Sequence, residues 1–204
     1  MVDKRMIHIV DDEDAIRRSA SFMLKTSGFA VTTWVSGVEF LKNVKSAEPG
    51  CILLDVRMPE MDGLEVQQAL SERGVAMPVV ILTGHGDVSI AVRAMKAGAI
   101  DFIEKPFEKA VLLSAIESAF ERLNDSEGRA TRASEASVLI AGLTAREQDV
   151  LKGLAQGLPN KTIAYDLGIS PRTVEVHRAN LMTKLNVRSL SDALRIAFAA
   201  GVGS

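Results

Sequence analysis

Cys51-Ile52-Leu53-Leu54-Asp55 is an apolar run closed by a carboxylate, and it is one of five short runs of this kind in the first 120 residues. The others are Met6–Val10, followed by Asp11-Asp12-Glu13, then Ala30–Val35, Val79–Leu82 before Thr83, and Asp101–Ile103 before Glu104-Lys105-Pro106. Runs this short and this apolar read as strands buried on both faces. Between them the apolar spacing turns helical. Ile16, Ala20, Met23 and Leu24 make one stripe, and Leu112, Leu113, Ile116, Phe120 and Leu123 make another. Ser36-Gly37-Val38-Glu39 has the pattern of a capping box, and Gly28 and Gly98 stand where helix C-caps are wanted. Strand alternating with helix five times predicts βαβ crossovers and an α/β fold, a five-stranded parallel doubly wound sheet over residues 1–123.

In such a sheet, ligands sit at the carboxyl ends of the strands, where neighbouring strands are about 4.8 Å apart. Asp11, Asp12 and Asp55 therefore converge. Their mutual repulsion is relieved by a hard divalent cation, and an all-oxygen cluster suits Mg²⁺. Thr83 brings a hydroxyl to the same end of the sheet and Lys105 an ammonium. A carboxylate flanked by a metal, a hydroxyl and a lysine is arranged to receive a phosphoryl group.

The residues that carry this pattern closely resemble the receiver domain of bacterial two-component response regulators, over about 1–123. They are Val10-Asp11-Asp12-Glu13, Leu54-Asp55-Val56-Arg57-Met58-Pro59 through Asp62-Gly63, Thr83-Gly84-His85-Gly86, and Ala97 through Lys105-Pro106-Phe107. The resemblance implies that Asp55 accepts a phosphoryl group from the phosphohistidine of a sensor histidine kinase. It implies Mg²⁺ on Asp11, Asp12, Asp55 and the backbone carbonyl of Arg57, Lys105 on the phosphoryl group, and Thr83 and Phe102 as the switch pair. It also implies a cis bond before Pro106. Phe102 lacks the hydroxyl of the Tyr commoner at its place. Glu13 reads as a helix-start carboxylate, His85 as a solvated loop histidine and Cys51 as a small core residue.

Residues 124–141 are small and polar and read as a connector, partly helical, with Gly128 its weak point. From 142 to 204 every signal is helical. Thr144-Ala145-Arg146-Glu147 is a second capping box. Helices are predicted from Ala145 to near Gly157, over Asn160–Leu167, from Ser170-Pro171 to about Leu185 and over Leu190–Ala200. Asn160–Leu185 has helix-turn-helix form, with Gly168 at the turn. The second helix presents Arg172, Glu175, Val176, His177, Arg178 and Lys184. Lys161 and Thr162 open the first helix, where free N–H groups favour a phosphate.

Leu143–Leu151, Gly157–Ala164 and Ser170–Leu185 resemble the LuxR-type DNA-binding domain. That resemblance places Thr173 with the other recognition-helix residues. Together the two halves resemble the NarL/FixJ class of transcription regulators, and within it Gly84–Val88 points to control of nitrogen-fixation or micro-oxic genes. The implied partners are a sensor histidine kinase, double-stranded promoter DNA, RNA polymerase and, on phosphorylation, a second copy of the chain. Glu175 and Ala179 depart from positions often basic in relatives. Glu175 either accepts from cytosine N4 or repels wrong phosphates.

Composition sets the outer bounds. Of 204 residues only seven Phe, one Trp and one Tyr are aromatic, which argues against a carbohydrate site or a stacking platform for single strands. A single cysteine excludes an intramolecular disulfide and a Cys-rich zinc site. The net charge of −2 hides an asymmetry: residues 1–125 carry 14 Lys and Arg against 19 Asp and Glu, and residues 126–204 carry 10 against 7. No signal-peptide core and no 18-residue apolar run is present, so a cytoplasmic protein with no membrane contact is expected. No G-x-x-x-x-G-K-[ST] loop occurs, which disfavours an ATP-driven activator. The chain is read as a non-enzyme. Two other readings remain: an Mg²⁺-dependent phosphohydrolase using Asp55 as nucleophile, which gives 142–204 no role, and an adaptor whose C-terminal helices bind protein.

Overall fold

The five apolar runs become five strands. A computed structural model describes residues 5–84, 88–124 and 129–203. In it β1 (Met6–Val10), β2 (Ala30–Trp34), β3 (Gly50–Asp55), β4 (Val79–Thr83) and β5 (Asp101–Glu104) form one sheet in the order β2-β1-β3-β4-β5. All four pairings are parallel. Parallel strands need long crossovers. Here they are α1 (Asp14–Thr26), α2 (Gly37–Asn43), α3 (Gly63–Glu72) and α4 (Val88–Lys96), and α5 (Lys109–Asn124) follows β5. This is the doubly wound, flavodoxin-like sheet that the alternation predicts, followed by a helical C-terminal half.

Every residue of β3 and β4 is buried, as expected of central strands covered on both sides. Ile7, Ile9, Cys51, Leu53, Val80 and Leu82 share one face and pack with α1 and α5 through Ala20, Leu24, Ile116 and Ala119. Burial pushes the Cys51 thiol up to about 12, so it stays a neutral core group. The chain leaves β1 for β2 on one side and returns to β3 on the other. That reversal opens the crevice at the carboxyl ends of β1 and β3.

Caps fix the helix starts. At α2, Ser36 Oγ accepts from Glu39 N as predicted, but Glu39 reaches back to the Val35 N–H, one residue beyond a regular capping box. The C-terminal helices are α6 (Arg129–Ala141), α7 (Ala145–Ala155), α8 (Asn160–Leu167), α9 (Pro171–Lys184) and α10 (Leu190–Ala199). α6 fills most of the stretch read as a connector; Gly128 and His85 lie outside the described residues. The Thr144–Glu147 capping box is complete. Gly168 ends α8 in the left-handed region at φ 64°, where a side chain is disfavoured, and Ser170 with Pro171 starts α9 at once. Val150, Leu151, Leu154, Ile163, Val174 and Leu181 are buried.

By packing, β1–β5 with α1–α3 and α5 form one unit, and α4 with α6–α10 a second. Among the described residues no helix is long and apolar enough to cross a membrane.

Candidate functional site

β1, β3 and β5 each deliver one charged group to the carboxyl end of the sheet. Asp11 follows β1, Asp55 ends β3 and Lys105 follows β5. Lys105 Nζ lies 2.6 Å from Asp11 Oδ2 and 2.6 Å from Asp55 Oδ1, with the Asp11, Asp55 and Lys105 side chains only 1%, 7% and 10% exposed. Lys105 is seated by its own backbone, whose N–H donates to the Thr83 carbonyl at 2.6 Å, beside a cis peptide bond to Pro106. Thr83 is fully buried at the end of β4, and Phe102 is half-buried on β5.

Burial raises the Asp55 carboxyl above its ordinary value and the Asp11 charge adds to this, against the opposing pull of Lys105. For Lys105, burial works against the ammonium, but the hydrogen bonds to Asp11 and Asp55 win and raise its pKa. The product is a desolvated carboxylate next to a firmly held cation. A carboxylate so placed can act as a nucleophile, with an ammonium at hand to meet negative charge that develops on its target.

Asp12 is exposed beside the pair, and Arg57 is exposed just after β3. Among the described residues, no group of three His, Cys, Asp or Glu side chains is drawn close enough to hold a metal ion; Lys105 bridges Asp11 and Asp55 instead. The donor chemistry nonetheless fits a hard cation: two buried carboxylates, a third at the edge open to water, and no nitrogen or sulfur ligand.

Two supporting residues escape a reading of the sequence alone. Arg17 Nη1 donates to the carbonyls of both Asp11 (2.8 Å) and Asp12 (2.7 Å). Its side chain is 12% exposed. Glu13, read as a helix-start carboxylate, begins α1 without a side-chain cap, and its N–H donates to Asp11 Oδ1 at 2.8 Å. Gly63 approaches the end of β3 so closely that a Cβ there would stand 2.2 Å from the Asp55 carbonyl oxygen. Arginine four residues into a helix, and glycine after an aspartate cap, are too common to signal either role.

In the C-terminal half, Lys161 and Thr162 are exposed at the start of α8, as predicted. On α9, Arg172, Glu175 and Val176 are exposed, and Thr173 and His177 are half-buried. Two predicted DNA contacts have partners within the protein. Arg178 Nη1 donates to Asn160 Oδ1 at 2.9 Å, and Lys184 Nζ sits 2.8 Å from Glu147 Oε2, whose carboxylate is buried. Helical spacing alone cannot register either partner, since both come from other helices. Asn180 and Thr183, not singled out from the sequence, are exposed near Ala179 on the same face.

Comparison with known proteins agrees with this geometry at both ends. The profile of the response regulator receiver domain matches residues 7–117, and that of the bacterial regulatory proteins of the luxR family matches 141–197. The transcriptional regulatory protein FixJ of Azorhizobium caulinodans is 49% identical over 99% of this chain and 96% of its own. FixJ of Rhizobium meliloti is 48% identical over 97% of each. Among solved structures, full-length FixJ from B. japonicum is 43% identical, covers 97% of this chain and 98% of its own, and superposes with a TM-score of 0.59.

Proposed function

This chain belongs to the FixJ-like two-component response regulators, in which a receiver domain precedes a LuxR-type DNA-binding domain, and we propose that Asp55 is the residue that switches it. The protein is a phosphorylation-dependent transcription regulator with a histidine kinase upstream and DNA downstream. The residue-level reading rests on one observation: the Lys105 ammonium lies 2.6 Å from both Asp11 and Asp55 at the open end of the sheet.

An Asp55 oxygen attacks the phosphorus of the kinase phosphohistidine. The new O–P bond forms as the N–P bond breaks, and the histidine leaves with the bond's electron pair. Lys105 then meets the charge on the phosphoryl oxygens. Asp11, Asp12, Asp55 and the Arg57 carbonyl would hold Mg²⁺, which when bound supplies charge neutralisation between the carboxylates and the incoming phosphoryl group. Arg17 keeps the loop carrying Asp11 and Asp12 in place. Thr83 and Phe102 register the modification, since the phosphoryl group adds charge and strong acceptors beside them.

In this reading residues 1–123 receive the signal, 124–141 connect and 142–204 bind promoter DNA. Phosphorylation brings two copies together, and DNA and RNA polymerase are engaged by the pair, in the cytoplasm. Lys161, Thr162 and Arg172 face the DNA, with Thr173 and His177 at the border of that face. Arg178 and Lys184 brace it from behind. The FixJ name of relatives at 43–49% identity supports nitrogen-fixation or micro-oxic genes as the targets. Asp55 is an acceptor within a switch and not the nucleophile of a phosphohydrolase acting on a separate substrate; the helix-turn-helix half has no part to play in such an enzyme.

The test is intact-mass measurement after treatment with acetyl phosphate and Mg²⁺. The wild-type chain should gain one phosphoryl group and Asp55→Asn none. Uptake by Asp55→Asn equal to wild type would overturn the assignment.

A further inference from the structure

The outward face of α9 is unusual for a helix that meets DNA. Val174, Leu181 and Leu185 bury its inner side. At helical spacing opposite them stand Arg172, Val176 and Ala179, flanked by Glu175 and Asn180, all exposed. Val176 is 53% exposed, a large apolar side chain open to solvent. Ala179 offers a lone methyl. Arg178 and Lys184 are turned to Asn160 and Glu147. Beyond Arg172 at its start, the centre of the face carries two apolar groups, Val176 and Ala179.

Resting on the reading that these helices bind DNA, we infer that α9 reads thymine methyl groups through Val176 and Ala179, and a cytosine amino group through Glu175. In the major groove, thymine alone presents a methyl, and apolar side chains recognise it. A carboxylate can only accept. Guanine presents two acceptors, thymine O4 another, and adenine an N7 acceptor next to its amino group; cytosine alone shows a donor with no acceptor beside it. A carboxylate in the groove is thus repelled by guanine and thymine, met by both a donor and an opposing acceptor at adenine, and best satisfied by cytosine. The same charge weakens non-specific binding, because it opposes the phosphates that supply most of it.

The test takes the full-length, acetyl-phosphate-treated protein and selects bound sequences from a random duplex pool. The wild-type selection should carry a cytosine with thymines nearby. Replacing one of those thymines by deoxyuridine deletes only its methyl. That should weaken wild-type binding by about three- to tenfold, and Val176→Ala by less than about twofold. Glu175→Gln can donate as well as accept, so its preference for cytosine over guanine should fall about tenfold at one position while the rest of the site is unchanged. A wild-type site indifferent to deoxyuridine throughout, or a Glu175→Gln selection identical to wild type, overturns this inference and leaves DNA binding standing. A wild-type protein that retains no sequence at all overturns the DNA-binding reading itself.

Discussion

One guanidinium nitrogen of Arg17 holds the carbonyls of Asp11 and Asp12, at 2.8 and 2.7 Å. With the Glu13 N–H on Asp11 Oδ1, this fixes the short loop between β1 and α1 from both sides. Removing the guanidinium frees the carriers of two proposed metal carboxylates without touching either. Arg17→Met should therefore weaken Mg²⁺ binding roughly ten- to hundredfold, the usual loss when a group that orients metal ligands is removed. Trp34, the single tryptophan, is a ready reporter, since its carbonyl accepts from Asp11 N at 3.3 Å. A fluorescence titration giving the wild-type Mg²⁺ affinity for folded Arg17→Met would reduce Arg17 to a stabilising residue. Asp11, Asp55 and Lys105 were legible in the sequence because strand ends announce their place and charge announces their chemistry. Arg17 and Gly63 were not, because each acts on a backbone carbonyl, and a carbonyl leaves no mark in the sequence.

Elements were legible wherever a cap or a period declared them. α8 runs over Asn160–Leu167 as predicted, between Pro159 and a left-handed Gly168. Ser36 capped α2, while the reach of Glu39 to Val35 depended on the local turn. What the pattern could not carry is which helix braces which. Glu147 closes its own capping box and also takes Lys184 from α9, so one carboxylate joins α7 to α9. Lys184→Met should lower stability to urea by about 1 kcal/mol, the scale of a charged hydrogen bond screened by solvent on its exposed lysine side. It should leave the slope of log affinity against log salt unchanged, whereas Lys161→Met should flatten that slope by about 0.9, the share of one phosphate contact. An equal flattening by Lys184→Met would return that residue to the DNA. The pH dependence follows the same pair. Lys184 and the Thr144 N–H hold the Glu147 carboxyl below its ordinary 4.5. Its contribution is complete above 4.5 and is lost as pH falls through the depressed folded value. Glu147→Gln should be less stable than wild type at neutral pH, and the difference should shrink in acid urea titrations.

Over the whole molecule, a net charge of −2 conceals an acidic N-terminal half and a mildly basic C-terminal one. The acidic half holds the carboxylates of the proposed phosphoacceptor site. The basic half has few cations for DNA, and two of those expected there, Arg178 and Lys184, each make a hydrogen bond within the protein. One copy should therefore hold DNA weakly, and pairing two copies raises affinity without any new contact, by making the second binding event intramolecular. Each tenfold gain corresponds to about 1.4 kcal/mol of coupling between Asp55 and the DNA-binding helices. The central claim is that this coupling runs through Asp55. The direct measurement is promoter-DNA affinity of the full chain, with and without acetyl phosphate in Mg²⁺, for wild type and Asp55→Asn. Wild type should tighten by at least about tenfold on treatment, and Asp55→Asn should not respond. An equal gain in Asp55→Asn, or no gain in a wild-type chain shown to be phosphorylated, would contradict it.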